Sequence, residues 1–111
     1  MKHVALAAIV ASILPAAANA TTTTDARREV WRLWGQSAPR MICIINKESN
    51  WNPWAVSRTD DHGLVQLNRP SWQHYFGARW HHRYDPVANV RMGYRVWRIQ
   101  GWSAWTTSRW C

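Results

Sequence analysis

Glu48 is the only carboxylate between Glu29 and Asp60, and it closes the apolar stretch Met41-Ile42-Cys43-Ile44-Ile45. A carboxyl at the end of such a segment loses part of its hydration. Desolvation disfavours the ionised form and raises the pKa, which is what a general acid needs in order to protonate a leaving oxygen near neutral pH. The plainer reading of the same position is a helix-terminal glutamate facing water. Other arrangements are weaker. Ser57, Asp61 and His62 supply the residue types of a hydrolase triad, but no nucleophile-elbow glycines surround the serine. His62, His74, His81 and His82 have no cysteine or carboxylate partners at ligand spacing, so neither a metal site nor a cofactor is expected.

The elements that must position Glu48 follow from caps and periodicity. Thr24 is the expected cap of a first helix with Asp25 in its opening turn and Val30, Trp31, Leu33 and Trp34 as its core face. Pro39 opens a second helix that is apolar nearly all round and runs into Glu48. From Ser49 to Asn68 the residues are turn formers such as Asn50, Asn52, Pro53, Asp60 and Gly63, which predicts a loop or small irregular β-hairpin. A short third helix is expected over Ser71 to Phe76. The last is the clearest: Asp85 as cap, Pro86 at its first position and Gly101 past its end. Within it Val87, Val90, Tyr94 and Trp97 line one face, and Arg91, Arg95 and Arg98 another. The fold class is mainly α, a small helical domain with a short irregular or β insertion.

The first twenty residues have the form of a secretion signal, with basic Lys2 and His3, an apolar run from Val4 to Leu14, and the small-residue cleavage site Ala18-Asn19-Ala20. That run is too short to span a bilayer comfortably, so an exported chain without stable membrane insertion is expected, in the periplasm or outside the cell. Removing residues 1–20 leaves about 90 residues, one small domain. Residues 21–25 are expected to be a disordered lead-in and residues 26–111 the domain. Cys43 and Cys111 read as a disulfide in an oxidising compartment, with two free buried thiols as the other reading. Nothing in the sequence indicates oligomerisation, and a monomer is expected.

The net charge is +8, and only Lys2 and Lys47 among the 14 basic residues are lysines. Such a chain seeks polyanions. For an exported protein these are anionic cell-wall polymers before nucleic acid, which is not expected as a partner. The 10 tryptophans fit a saccharide-binding surface as well as a core, and roughly half are expected inside.

In chain order the sequence carries Glu48-Ser49, then Ala55 and Ser57, Gly63-Leu64-Val65-Gln66, and Asp85-Pro86-Val87-Ala88-Asn89-Val90. Together these resemble the soluble lytic transglycosylases of the lysozyme-like superfamily. Asp61-His62-Gly63-Leu64-Val65-Gln66-Leu67-Asn68 is similar to the corresponding stretch of animal-type lysozymes, as is Trp102-Ser103-Ala104-Trp105 followed by Cys111. The resemblance implies an α+β lysozyme-like fold and a murein-cleaving glycosidase acting between N-acetylmuramic acid and N-acetylglucosamine in peptidoglycan strands. It implies Glu48 as general acid, alone in the transglycosylase route. In the lysozyme route Asp61 joins it, with Asp60 able to substitute. It also implies substrate contacts at Ser57, Gln66, Asn68, Trp72, Asn89, Tyr94 and Trp102, a Cys43–Cys111 disulfide, and Trp102 packed against the acid. The sequence departs from the transglycosylase pattern at Val96, where that family carries a tyrosine. A non-catalytic cationic protein binding cell wall or nucleic acid is the rival reading.

Overall fold

The computed structural model describes residues 20–111, so the expected leader lies outside the described residues except for Ala20. Four α-helices carry this part of the chain: α1 (Thr23–Trp34), α2 (Ala38–Glu48), α3 (Arg69–Phe76) and α4 (Pro86–Gln100). A two-residue-by-two-residue antiparallel hairpin, β1 (Asp61–His62) and β2 (Leu67–Asn68), pairs Asp61 with Asn68 and His62 with Leu67. Short 3-10 turns occupy Gly35–Ser37, Gly77–His82, Gly101–Ala104 and Thr106–Trp110. The expected class, mainly helical with a small β insertion and one disulfide, is the class observed.

Helix α1 starts earlier than expected. Thr22 is its cap: the Thr22 hydroxyl accepts from the Asp25 N–H at 3.1 Å, and the Asp25 carboxylate accepts from the Thr22 N–H at 3.0 Å. This reciprocal box satisfies two donors, an advantage that Thr24 cannot match. Thr21 is held as well, its hydroxyl donating to Asp85 at 2.8 Å. The stretch from Thr21 to Asp25, expected to be a disordered lead-in, is therefore part of the fold. Val30 and Trp34 point inward from α1, and Trp31 is 50% exposed. A step of one residue turns the helix by about 100°, so Trp31 cannot share the face of Val30.

Helix α2 is the buried element foreseen, with Ala38, Met41, Ile44 and Ile45 wholly enclosed. Helix α4 packs chiefly across α1, and the last turn, Thr106–Trp110, lies along α2. The Cys43–Cys111 disulfide fixes that last contact, with Cα atoms 5.8 Å apart and a sequence separation of 68 residues. Cross-linking a loop this long stabilises the domain by about 4 kcal/mol on the chain-entropy account. A second tie joins α1 to α4. Buried Glu29 accepts from Arg32 at 2.6 Å and from Arg91 at 2.7 Å. The Arg32 hydrogen bond, with Arg91 behind it, outweighs burial and brings the Glu29 pKa down to about 2. Arg91 faces solvent as expected, its side chain 62% exposed, while its guanidinium also pairs with Glu29.

Of the tryptophans, Trp34, Trp80 and Trp105 are buried, whereas Trp51, Trp72, Trp97 and Trp102 pack half-exposed against the core. Fewer are fully enclosed than composition led us to expect. Among the described residues no helix is long and apolar enough to cross a membrane.

The hairpin is too short to hold itself together, and its connecting turn is enclosed. Leu64 and Val65 are fully buried, so their peptide groups need partners. The Ser49 hydroxyl donates to the Leu64 carbonyl at 2.7 Å and the Trp105 indole to the Val65 carbonyl at 2.8 Å. Asn89, wholly buried, accepts from the Val65 N–H at 2.9 Å and donates to the carbonyls of His62 and Arg83 at 3.1 and 2.8 Å. Helix α4 comes so near that a Cβ on Gly93 would stand 2.8 Å from a Val65 methyl. Replacing Asn89 by Ala leaves a buried N–H and two carbonyls without these partners. We expect a loss of about 3 kcal/mol, read as a fall in the denaturant midpoint at unchanged slope. A change below about 0.5 kcal/mol would contradict this account of the turn.

Candidate active site

Glu48 ends α2 and is half-buried. Its Oε2 accepts a 2.7 Å hydrogen bond from the Thr107 hydroxyl. Burial pushes the Glu48 pKa up, the Thr107 donor partly opposes this, and the negative charge of Asp61 adds to the rise. Asp61 thus lies near enough for its charge to act on Glu48.

Asp61 has the opposite environment. Burial by itself would raise its pKa, but hydrogen bonds from Ser57, Thr59 and Asn68 outweigh it and hold the carboxyl below its ordinary value. Ser57 donates to Oδ2 at 2.6 Å, Thr59 donates to the same oxygen, and Asn68 donates to Oδ1 at 3.0 Å. The Asp61 N–H in turn donates to the Ser57 hydroxyl at 3.1 Å. Asn68 also caps α3, its side-chain oxygen accepting from the Ser71 N–H at 3.1 Å, so the start of α3 and the Asp61 carboxylate share one support. One carboxyl biased towards its protonated form beside one biased towards its ionised form is an arrangement suited to acid catalysis of bond cleavage next to a developing positive charge.

The structure gathers some of the expected site residues and disperses others. Ser57 and Asn68 serve Asp61. Gln66 lies in the turn with a φ of 59°, and its side-chain N–H group donates to the carbonyls of Ala55 and Gly63 at 3.2 and 3.0 Å. Asp60, considered a substitute for Asp61, is taken up by Arg69 at 2.7 Å and His62 at 2.6 Å. Trp72 is half-buried on α3 against Tyr75 and Phe76. Asn89 lies in the core as the strut described above, with no exposed surface to offer a ligand.

Tyr94 and Trp102 belong to a different region. Tyr94 packs edge-on against Trp34, with ring centroids 5.2 Å apart, and Trp102 stands 5.2 Å from Trp97 with Arg40 stacked 4.7 Å from its ring. Arg40 is two helical turns, about 12 Å, from Glu48 along α2. Both aromatic residues line an open hollow of about 500 Å³ with Leu33, Trp97, Arg98 and Gly101. The contacts of Trp102 seen here are with Arg40 and Trp97. The tryptophan that reaches the turn beside Glu48 is Trp105.

Thr107 and Thr59 were not anticipated as site residues. For Thr107 a signal existed: a bond between Cys43 and Cys111 lays the chain end along α2, within reach of Glu48. Thr59 is set by the conformation of an irregular loop, which has no periodicity to read. The family described as the transglycosylase SLT domain matches residues 32–100, more than half of the chain. The chain belongs to this family, whose members are typically lytic transglycosylases that act on peptidoglycan. No curated protein and no solved structure matched it.

The pKa of Glu48, followed by carboxyl-carbon NMR, should respond to both neighbours with opposite signs. Asp61→Asn removes a negative charge that favours the protonated acid, so the midpoint should fall. Thr107→Val removes a donor that favours the carboxylate, so the midpoint should rise. An unchanged midpoint in both variants would separate these groups from Glu48 electrostatically.

Proposed function

We propose that this protein cleaves the β-1,4 bond between N-acetylmuramic acid and N-acetylglucosamine in peptidoglycan, with Glu48 as the catalytic acid. The observation that carries the reading is the half-buried Glu48 carboxyl at the end of α2, raised in pKa by its burial and by the charge of Asp61, whose own carboxyl is held below its ordinary value. Family membership supplies the substrate class.

In the transglycosylase route, Glu48 gives its proton to the leaving glycosidic oxygen as the bond to the anomeric carbon breaks. The acetamido oxygen of the same sugar bonds to that carbon and spreads its positive charge over a cationic oxazolinium ring. The Glu48 carboxylate then takes the proton of the 6-hydroxyl, whose oxygen displaces the acetamido group and closes a 1,6-anhydro ring. No water is consumed and the acid is restored. The ionised Asp61 supports a second reading on the same scaffold, in which it stabilises the cationic centre or attacks it before water completes hydrolysis. We favour the first route, in which one carboxylate suffices, as in the family.

Ser57 and Asn68 position Asp61, Gln66 presents its side-chain oxygen to the acetamido sugar, and Trp72 offers an aromatic face to a neighbouring ring. Tyr94 and Trp102, with their open hollow, are assigned to the strand further from the cut. The protein acts after export, in the periplasm or outside the cell, as a monomer, and its arginines draw it to anionic wall polymers.

Glu48→Gln should lower turbidity loss of purified sacculi by about 100-fold or more. Equal clearing by wild type and variant overturns the enzymatic reading in favour of cationic binding alone. Mass spectrometry of the products decides the route, because the anhydro-muropeptide is lighter by one water. Loss of activity at high pH should follow deprotonation of Glu48, so Asp61→Asn should move the alkaline limb of any remaining activity to lower pH.

A further inference from the structure

Thr21 makes an unusual set of contacts for a residue at the start of a domain. Its backbone N–H donates to Asp85 Oδ1 at 3.0 Å and its hydroxyl donates to the same oxygen at 2.8 Å. The hydroxyl oxygen also accepts the Val87 N–H at 3.0 Å. Asp85 Oδ2 accepts the Ala88 N–H at 3.0 Å, and the Asp85 carbonyl accepts from Asn89. Pro86 has no N–H to offer, so Thr21 and Asp85 together satisfy the first turn of α4. The pair borders a hollow of about 340 Å³ that Trp54, His81, His82 and Tyr84 also line, and Ala20, immediately before it, is exposed.

We propose that the mature chain begins at Thr21 and that its free α-ammonium group forms a partly buried ion pair with the Asp85 carboxylate, so that removal of the leader completes the cap of α4. The inference rests on the export reading above. Water adds across the bond between the Ala20 carbonyl and the Thr21 nitrogen under a leader-removing protease. The new carboxylate departs with residues 1–20, and the Thr21 nitrogen, protonated, keeps its place beside Asp85. A neutral amide donor thereby becomes a cationic one at the same position, and the hydrogen bond becomes charge-assisted. Since α4 carries Asn89 and Gly93, the latch secures the helix against which the active-site turn is built.

The ion pair raises the α-amino pKa above its ordinary value of about 7.7–8.0. Its stabilisation is complete below that ordinary value and is lost as pH rises through the raised one. The titratable groups around it are Asp85 itself and His81, His82 and Tyr84, which line the same hollow, while Asp25 of α1 is bonded to the N–H of the next residue, Thr22. His82 acts on Asp85 in the same sense as Thr21, helping to hold the carboxyl ionised.

The test uses the chain isolated from the envelope of an expressing bacterium. Intact mass should place its first residue at Thr21; a chain that retains Ala20 or starts later overturns the proposal. NMR titration should put the α-amino midpoint about one unit above the ordinary range, and Asp85→Asn should return it there. A wild-type midpoint within the ordinary range overturns the ion pair even where processing is correct. If Asp85→Asn folds poorly, a Lys47→Arg chain, whose only remaining amine is that of Thr21, can be acetylated with Asp85 intact. The acetylated form should melt several degrees lower at pH 7, the two forms converging near pH 10; equal melting at pH 7 overturns the latch. Sacculus clearing is not used, so failure of the enzymatic reading is separately visible.

Discussion

The peptide groups of Leu64 and Val65 are the point on which the structure turns. They belong to a segment without regular secondary structure, yet they are enclosed, and a buried peptide group without a partner is costly. Ser49, Asn89 and Trp105 meet that need from three separate elements, with Gly93 making room for the close approach. Because Ser49 follows Glu48 directly and Asp61 enters the same hairpin, the clamp that satisfies the turn also sets the two carboxylates relative to each other. Stability and site geometry here have one cause.

The two carboxyls differ through their surroundings, not their chemistry. Glu48 is sheltered and receives one side-chain donor, whereas Asp61 is surrounded by hydroxyl and amide donors that compensate for its burial. The large positive charge is spent in a less obvious way. Arg32 and Arg91 hold Glu29, Arg69 holds Asp60, and Arg27, Arg40, Arg83 and Arg109 lie over aromatic rings. A planar guanidinium can make such contacts and keep its charge at the surface, so the same residues build the fold and maintain the field around it.

Much was legible before any coordinates. Pro39 and the apolar run to Glu48 point to a buried helix, since proline suits a first helical turn and a segment apolar nearly all round must be enclosed. Asp85, Pro86 and Gly101 mark both ends of α4, because caps are local chemistry. The Glu-Ser, Gly-Leu-x-Gln and Asp-Pro-x-x-Asn fragments carried the family. What could not be read was direction at a distance. Trp102, past the end of α4, comes to line one aromatic hollow with Tyr94 and Trp97, a juxtaposition that periodicity does not reveal. Thr21 to Asp25 looked dispensable because its chief partner, Asp85, lies at the far end of the sequence.

The helices and the cysteine pair could be read from the residues alone, since caps, periodicity and residue type act over a few positions. That Asn89 is a strut, that Thr107 meets Glu48 and that Asp61 is held towards its ionised form are matters of packing. Those outcomes depend on which buried polar groups come to face one another, and that is settled when the elements close around a shared interior.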